Sequence, residues 1–211
     1  MSIHRFIAIE GNIGAGKTTL ARRLSELWST QLILEQFEDN PFLPLFYEDP
    51  RRHAFPLEMY FLAERYRQLS EEMNGPDLFG STVVSDYYLE KSLIFARNNL
   101  DENEFSLFRR LYDIMFKTLP KPDLIVFLIV PTSKLKSHIE KRGRIYEQCI
   151  KEEYLQGIQQ VYLEHLATLQ GLRILLLDYG ELDFATKKED LFRISETINQ
   201  EYPVGITRIS L

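Results

Sequence analysis

The sequence predicts an α/β fold in which a parallel sheet is covered by helices on both faces. Three short apolar runs stand out as buried strands, at Phe6–Ile9, Leu124–Val130 and Ile174–Leu177. The segments between them carry apolar residues at spacings of three and four positions, which is typical of amphipathic helices. Strands that alternate with helices form a parallel sheet, because the helices serve as crossovers on either side of it.

The remaining elements complete a sheet of five strands. Leu32–Leu34 and Val83–Val84 are weaker apolar runs that supply the second and third strands. Amphipathic spacing predicts helices at Lys17–Ser29, Phe55–Met73, Glu90–Asn98, Glu102–Leu119, Ser133–Arg142, Lys151–Gln170 and Lys188–Gln200. No repeat or linker-like run interrupts the 211 residues, so we expect one three-layer domain over residues 1–211. Ligands of such sheets gather at the carboxyl ends of the strands.

Composition and charge narrow the function classes. The chain has 45% apolar and 27% charged residues, enough for a packed core under a solvated surface. Its formal charge of -6 argues against a broad nucleic-acid surface, because phosphate backbones are bound by clustered Lys and Arg. No stretch approaches the roughly 18 consecutive apolar residues of a membrane helix, and the N-terminus lacks a signal-peptide pattern. We therefore expect a cytoplasmic protein that binds neither nucleic acid nor membrane, and its single cysteine, Cys149, excludes an internal disulfide.

A phosphate-binding turn follows the first strand. The pattern G-x-x-x-x-G-K-[ST] is matched by Gly11, Asn12, Ile13, Gly14, Ala15, Gly16, Lys17 and Thr18, and Thr19 continues it as a helix-start residue. Glycines let successive backbone N–H groups point at phosphate oxygens, and the helix that begins near Lys17 adds its positive dipole end. Lys17 would contact the β- and γ-phosphates of ATP, while the Thr18 hydroxyl would bind Mg²⁺. The guanine-binding N-K-x-D motif of GTPases and the L-S-G-G-Q motif of transport ATPases are absent, so the short chain indicates a small kinase.

Beyond this turn, nearly the whole chain resembles the deoxynucleoside kinase family, particularly its bacterial purine-type members and related mammalian enzymes. The most specific signal is Glu10-Gly11-Asn12-Ile13-Gly14, which most other proteins with this phosphate-binding turn lack. The resemblance implies ATP with Mg²⁺ as the donor, a deoxynucleoside as the acceptor, and assembly as a homodimer. We therefore expect ATP-dependent phosphorylation of the 5′-hydroxyl of a purine deoxynucleoside, giving the 5′-monophosphate in nucleotide salvage.

The resemblance also implies roles for residues around the acceptor. Glu35 matches the general base at the end of the second strand, although Gln36 replaces the Pro that usually follows it. Tyr47 matches the group that binds the sugar 3′-hydroxyl, and Glu58 and Arg65 match the positions that bind the base.

The base-binding pair favours guanine. The family usually has Gln where this chain has Glu58. An ionised Glu58 would accept hydrogen bonds from the two guanine donors, and Arg65 would donate to O6 and N7. A protonated Glu58 would imitate Gln and admit adenine, and an ordinary charged helix face is the structural alternative for the pair.

The third strand departs from the family pattern. Ser85-Asp86-Tyr87-Tyr88 keeps the acidic residue of the family's Asp-Arg-Ser or Glu-Arg-Ser but lacks its Arg. Asp86 is still expected to assist Mg²⁺ beside Thr18. Phe95 resembles the Phe that stacks on the base but lies one residue nearer Asp86 than expected, so a core aromatic is the alternative.

A basic segment resembles the family's lid. Lys141-Arg142-Gly143-Arg144-Ile145-Tyr146-Glu147 contains the pattern Arg-x-Arg-x-x-Glu, and we place the lid at about residues 142–150. Arg142 and Arg144 would neutralise charge on the γ-phosphoryl group, and Glu147 would accept the 3′-hydroxyl. Asp183 and Phe184 resemble the loop that surrounds the ATP adenine.

Two other functions remain open from the sequence. Asp86-Tyr87-Tyr88 also distantly resembles the Asp-Arg-Tyr of thymidylate kinases, which keeps a nucleoside monophosphate kinase open as an alternative. The missing Arg favours a non-catalytic protein that has kept the kinase fold. Phosphorylation assays with a nucleoside and its monophosphate distinguish these alternatives.

Overall fold

A computed structural model describes residues 2–36, 40–73, 82–144 and 147–211 of the chain. Within these ranges, six parallel strands form one sheet in the order β2-β3-β1-β4-β5-β6. The strands are β1 (Phe6–Gly11), β2 (Gln31–Ile33), β3 (Val83–Ser85), β4 (Leu124–Ile129), β5 (Arg173–Asp178) and β6 (Gly205–Ser210). The prediction of a parallel α/β sheet is confirmed.

Helices cover this sheet on both faces. They are α1 (Lys17–Trp28), α2 (Phe42–Glu48), α3 (Pro50–Met73), α4 (Glu90–Asn99), α5 (Glu102–Phe116), α6 (Thr132–Arg142), α7 (Glu152–Thr168) and α8 (Lys188–Ile198). In the described part of the chain, no helix is long and apolar enough to cross a membrane.

The apolar strands are continuous because both faces of the sheet are buried. In β1, Phe6 and Ala8 belong to one hydrophobic cluster, whereas Ile7 and Ile9 belong to the other. Successive side chains of a strand point to opposite faces, so one unbroken apolar run supplies two cores. The first core contains residues of α3, α4, α5 and α7, and the second contains residues of α1, α6 and α8. The sheet and the helices on its two faces therefore form three layers.

The prediction of five strands was wrong by one. β6 pairs with β5 at the edge of the sheet, and its residues alternate between half-buried and exposed. Ile206 is exposed while Thr207 and Arg208 interrupt the apolar pattern. An edge strand of this kind lacks the continuous apolar run that identified the buried strands.

Two helical features that contain prolines differ from the prediction. The short helix α2 was not predicted, and α3 begins at Pro50 rather than at Phe55. Pro44 lies in the first turn of α2 and Pro50 opens α3, positions where the missing proline N–H leaves no intrahelical hydrogen bond unmade. Pro44 and Pro50 are therefore compatible with helix starts, and α2 and α3 together form one wall of the smaller cavity described below.

Candidate active site

The glycine-rich turn has a backbone that only glycine adopts easily. Gly14 and Gly16 have φ angles of 80° and 86°. A Cβ atom on Gly14 would lie 2.7 Å from the carbonyl oxygen of Leu135 in α6, so the turn packs too closely for a side chain there. The Asn12 side chain donates to the carbonyl oxygen of Leu155 at 2.7 Å and ties the turn to α7.

Lys17 lies across this turn at the start of α1. Its Nζ donates to the carbonyl oxygen of Asn12 at 2.8 Å. Burial and the nearby Lys91 lower the pKa of Lys17 to about 7, against the opposing charges of nearby carboxylates. A triphosphate in the turn would add negative charge beside Lys17 and favour its charged form.

Glu10 lies just before the turn but does not line either of the cavities described below. Its Oε1 accepts from the backbone N–H of Tyr88 at 2.6 Å, and its Oε2 accepts from the Tyr162 hydroxyl at 2.9 Å. Burial raises the pKa of Glu10 to about 7. This residue of the family signature therefore joins β1 to α7 and to the segment before α4.

Asp86 joins the turn to the end of β2. The Thr18 hydroxyl donates to Asp86 Oδ2 at 2.5 Å, and the backbone N–H of Glu35 donates to Asp86 Oδ1 at 2.7 Å. Burial and the charge of Glu35 raise the pKa of Asp86. The carboxyl ends of β1, β2 and β3 thus meet at one point, where hydroxyl and carboxylate oxygens lie side by side.

Glu35 is held by two cations. Its Oε1 accepts from Arg65 Nε at 2.7 Å and from the Arg65 Nη2 at 2.6 Å, and its Oε2 accepts from Lys91 Nζ. Burial opposes the charged form, but the charges of Lys91 and Arg65 outweigh it and lower the pKa of Glu35 to about 2. Glu35 is therefore a carboxylate at neutral pH and can accept a proton or a hydrogen bond.

Lys91 was missed by the sequence analysis. It is buried in α4 and supplies a cation beside Glu35, in a chain that lacks the family's Arg after Asp86. The sequence holds only part of the signal: Lys91, Phe95 and Asn99 follow one another at intervals of four, which places them on one face of a helix but does not show what that face contacts. All three line the same cavity.

Glu58 and Arg65 do not form a solvated helix face. They are only 1% and 4% exposed, respectively. Glu58 Oε1 accepts from Asn99 Nδ2 at 2.7 Å, while Glu58 Oε2 is buried without a hydrogen-bond partner among the described residues. Burial raises the pKa of Glu58 to about 7, although the charge of Arg65 acts in the opposite direction.

Two cavities meet beside the glycine-rich turn and Glu35. A large cavity of about 1100 Å³ lies over the glycine-rich turn, α6 and the loop after β5. A smaller cavity of about 110 Å³ is lined by every residue predicted to bind the acceptor: Glu35, Tyr47, Glu58, Arg65, Asp86, Phe95 and Glu147. The residues that line both cavities are Gly14, Lys17, Thr18, Glu35, Arg142 and Arg144.

The two arginines of the predicted lid pair with Glu147. Arg142 ends α6, and its Nε donates to Glu147 Oε2 at 3.0 Å. Arg144 Nη1 donates to Glu147 Oε1 at 3.1 Å. Residues 145 and 146 of the predicted lid lie outside the described residues. Both arginines are thus held where the two cavities join.

The predicted adenine loop borders the large cavity. Asp183 and Phe184 follow β5 and are among its lining residues. Phe184 is largely buried, packs edge-on against Tyr179, and would lie 3.0 Å from a Cβ atom on Gly16. Phe184 therefore supports the glycine-rich turn as well as bordering the cavity.

Comparison with known proteins identifies the family. The family model for deoxynucleoside kinase matches residues 7–202. A deoxyguanosine kinase of Bacillus subtilis is 37% identical over 204 residues, covering 95% of this chain and 99% of that protein. A deoxyadenosine kinase of Lactobacillus acidophilus is 29% identical, covering 92% of this chain and 96% of that protein.

A solved structure agrees with this assignment. The structure of deoxyadenosine kinase from M. mycoides with bound dATP is 27% identical, has a TM-score of 0.79, and covers 92% of this chain and 100% of that one. The predicted resemblance and the predicted class of enzyme, an ATP-dependent nucleoside kinase, are confirmed. The chain belongs to the deoxynucleoside kinase family.

Proposed function

We propose that this chain phosphorylates the 5′-hydroxyl of a purine deoxynucleoside, preferably deoxyguanosine, with ATP and Mg²⁺. The observation that carries the proposal is the junction of the two cavities at Lys17, Thr18 and Glu35. The large cavity has the phosphate-binding turn, and the small one has buried polar groups suited to a base. A phosphoryl group held at the junction would face an acceptor beside Glu35.

Glu35 is proposed as the general base. The 5′-oxygen would form a bond to the γ-phosphorus while the bond from that phosphorus to ADP breaks, and the hydroxyl proton would pass to Glu35. Phosphoryl transfer depends mainly on positioning and charge, so a carboxylate of low basicity is sufficient. Arg142 and Arg144 would turn from Glu147 toward the transferring group and stabilise its charge.

Lys91 is proposed to replace the arginine that the family pattern has directly after the position of Asp86. Its Nζ contacts Glu35, and its charge lowers the pKa of Lys17, so it acts on both the base and the phosphate-binding lysine. An ammonium in this position orients the carboxylate toward the acceptor. The absence of Arg after Asp86 is therefore compatible with catalysis.

Thr18 and Asp86 are proposed to hold Mg²⁺. Their oxygens are the hard ligands that Mg²⁺ prefers, and Mg²⁺ is usually bound by one or two protein oxygens together with substrate phosphates. The bound ion would neutralise charge on the phosphates.

We further propose a single domain over residues 1–211 that forms a homodimer in the cytoplasm. Leu107 and Ile114 are exposed and lie seven residues apart on one face of α5. The exposed face of a surface helix is normally polar, so two exposed large apolar side chains on it are candidates for a contact. Sedimentation at increasing protein concentration tests the dimer, with Ile114→Glu expected to give a monomer.

Transfer of labelled phosphate from ATP tests the function. Purified protein would be offered the four natural deoxynucleosides and, separately, their 5′-monophosphates. We expect deoxyguanosine to be the best acceptor, deoxyadenosine the second, and the monophosphates to be poor. A preference for pyrimidines contradicts the base assignment, and a preference for monophosphates contradicts the proposed reaction.

A further inference from the structure

The two purines require opposite patterns from the group that binds their Watson–Crick edge. Guanine presents two adjacent donors, its N1–H and its 2-amino group, whereas adenine presents the acceptor N1 beside its 6-amino donor. A carboxylate offers two acceptors, but a protonated carboxyl group offers one donor and one acceptor. One Glu side chain can therefore match either base, depending on its proton.

Asn99 determines which oxygen of Glu58 carries that proton. Asn99 Oδ1 accepts from Asn98 Nδ2 at 3.0 Å, which leaves the Nδ2 donor of Asn99 directed at Glu58 Oε1. Oε1 is thereby kept as an acceptor. The proton must reside on Oε2, the buried oxygen that has no partner among the described residues.

We propose that Glu58 and Asn99 form a two-state base selector, in which ionised Glu58 binds guanine and Glu58 protonated at Oε2 binds adenine. The inference rests on the proposed function, because it requires the base to lie in the small cavity. Oε2 then accepts from guanine N1–H or donates to adenine N1, and Oε1 accepts from the 2-amino group of guanine or from the 6-amino group of adenine. These two amines flank N1 on opposite sides, so the two purines bind with opposite faces of the ring. A carboxylate oxygen can accept from both Asn99 and the base.

Both states of Glu58 are accessible near neutral pH. Burial is the largest cause of its pKa of about 7, and Arg65 on the same helix opposes the shift. The other groups that face it are Asn99 and Lys91 from α4, Glu35 after β2, and Tyr154 from α7. Tyr154 has a raised pKa and stays neutral in this range. The other titratable groups that line the cavity are Lys17, Tyr47, Asp86, Arg142, Arg144 and Glu147.

The ratio of kcat/KM for deoxyguanosine to that for deoxyadenosine tests the selector. Each nucleoside requires the opposite form of Glu58, so the ratio should rise about tenfold per pH unit and about a hundredfold between about pH 6 and about pH 8. Titration of Lys17 and of other shared groups affects both nucleosides equally and cancels in the ratio. A ratio that stays constant with pH overturns the inference.

Proton exchange on binding gives a second readout on the unaltered protein. At about pH 7, deoxyguanosine binding should release about half a proton and deoxyadenosine binding should take up about half a proton. Calorimetry in buffers of different ionisation enthalpy measures both quantities. Exchange of the same sign for both nucleosides contradicts the two-state selector.

Three variants test which residues cause the pH dependence of the ratio. Glu58→Gln offers one donor and one acceptor at every pH, so its ratio should be flat and should favour deoxyadenosine. Asn99→Ala removes a donor that lowers the pKa of Glu58, so the acid limb of the deoxyguanosine profile should move to higher pH. The control Glu71→Gln, on the exposed face of the same helix, should behave as the parent. A parent-like profile for Asn99→Ala overturns the role of Asn99.

The inference and the proposed function fail in different ways. If neither purine nucleoside is phosphorylated at any pH, the proposed function is wrong and the selector falls with it. If both are phosphorylated with a pH-independent ratio, the proposed function stands and only the selector is wrong.

Discussion

Arg65 contacts a single oxygen of Glu35 through two of its donors, with Nε at 2.7 Å and Nη2 at 2.6 Å from Oε1. A third donor, Nη1, contacts Ser92 at 2.8 Å. Arg65 thus contacts the carboxylate of Glu35, the proposed general base, although the substrate contact proposed for Arg65 is with the purine. These contacts use three of the five N–H donors of its guanidinium group, so the other two can donate to a purine while Arg65 still holds Glu35.

Lys91→Met tests whether Lys91 replaces the missing arginine. Methionine keeps the length of the side chain but removes one of the two charges that lower the pKa of Glu35. The pKa of Glu35 should rise, and kcat should fall by up to about a hundredfold because the base is no longer oriented. Rate profiles against pH should show the acid limb moving to higher pH.

Two further variants test whether the loss of rate comes from removing the positive charge at position 91. Lys91→Arg should recover part of the rate because it restores a cation, and the exposed Lys188→Met should have no effect. A normal kcat for Lys91→Met would show that the nucleoside or the lid supplies the orientation instead.

Gly14→Ala tests the close approach of the phosphate-binding turn to α6. Its Cβ would lie 2.7 Å from the Leu135 carbonyl oxygen, and its φ of 80° is strained for alanine. The KM for ATP should rise at least about tenfold, because backbone donors aimed at phosphate are displaced.

Gly171→Ala is the control for strain alone. Gly171 has a φ of 73° and no atom within 4 Å of the added Cβ. It should lose about 1–2 kcal/mol of stability without a change in the KM for ATP. Equal effects of the two substitutions on ATP binding would contradict the packing argument.

Glu58→Gln should change how stability depends on pH. Unfolded Glu58 releases its proton near its ordinary pKa of 4.5, whereas the folded side chain holds it until about pH 7. The folded state binds more protons in this window, so rising pH destabilises it, by on the order of 3 kcal/mol in total. Glu58→Gln should remove this loss.

Denaturation of the parent and of Glu58→Gln at several pH values measures the difference. The two stabilities should diverge as pH rises from about 4.5 to about 7 and run parallel above that. Glu71→Gln should remain parallel to the parent throughout. A constant difference would show that Glu58 titrates normally.

Local patterns predicted the parts of the site whose positions follow from one element. The phosphate-binding turn needs only a strand, glycines and a helix start, so Gly11–Thr18 was identified from sequence alone. Glu35, Glu58 and Arg65 were assigned through the family resemblance, and local patterns only placed them: Glu35 follows a strand end, while Glu58 and Arg65 lie on one helix at a spacing of seven residues, close to two turns.

The contacts between elements could not be predicted in the same way. Lys91 and Asn99 reach Glu35 and Glu58 only because α4 packs beside α3, a tertiary arrangement that spacing within α4 does not reveal. β6 was missed because an edge strand lacks a continuous apolar run. The low pKa of Glu35 likewise depends on cations from two separate helices.

Glu35→Gln tests the central claim most directly, since Glu35 lies where the two cavities meet. Measured as phosphate transfer from ATP to deoxyguanosine, kcat should fall by at least about a hundredfold. ATP affinity should be unchanged, and thermal unfolding should confirm that the variant is folded despite the loss of an acceptor for Arg65 and Lys91. A folded variant that keeps both ATP binding and a parent-like kcat would contradict the assignment of Glu35 as the general base.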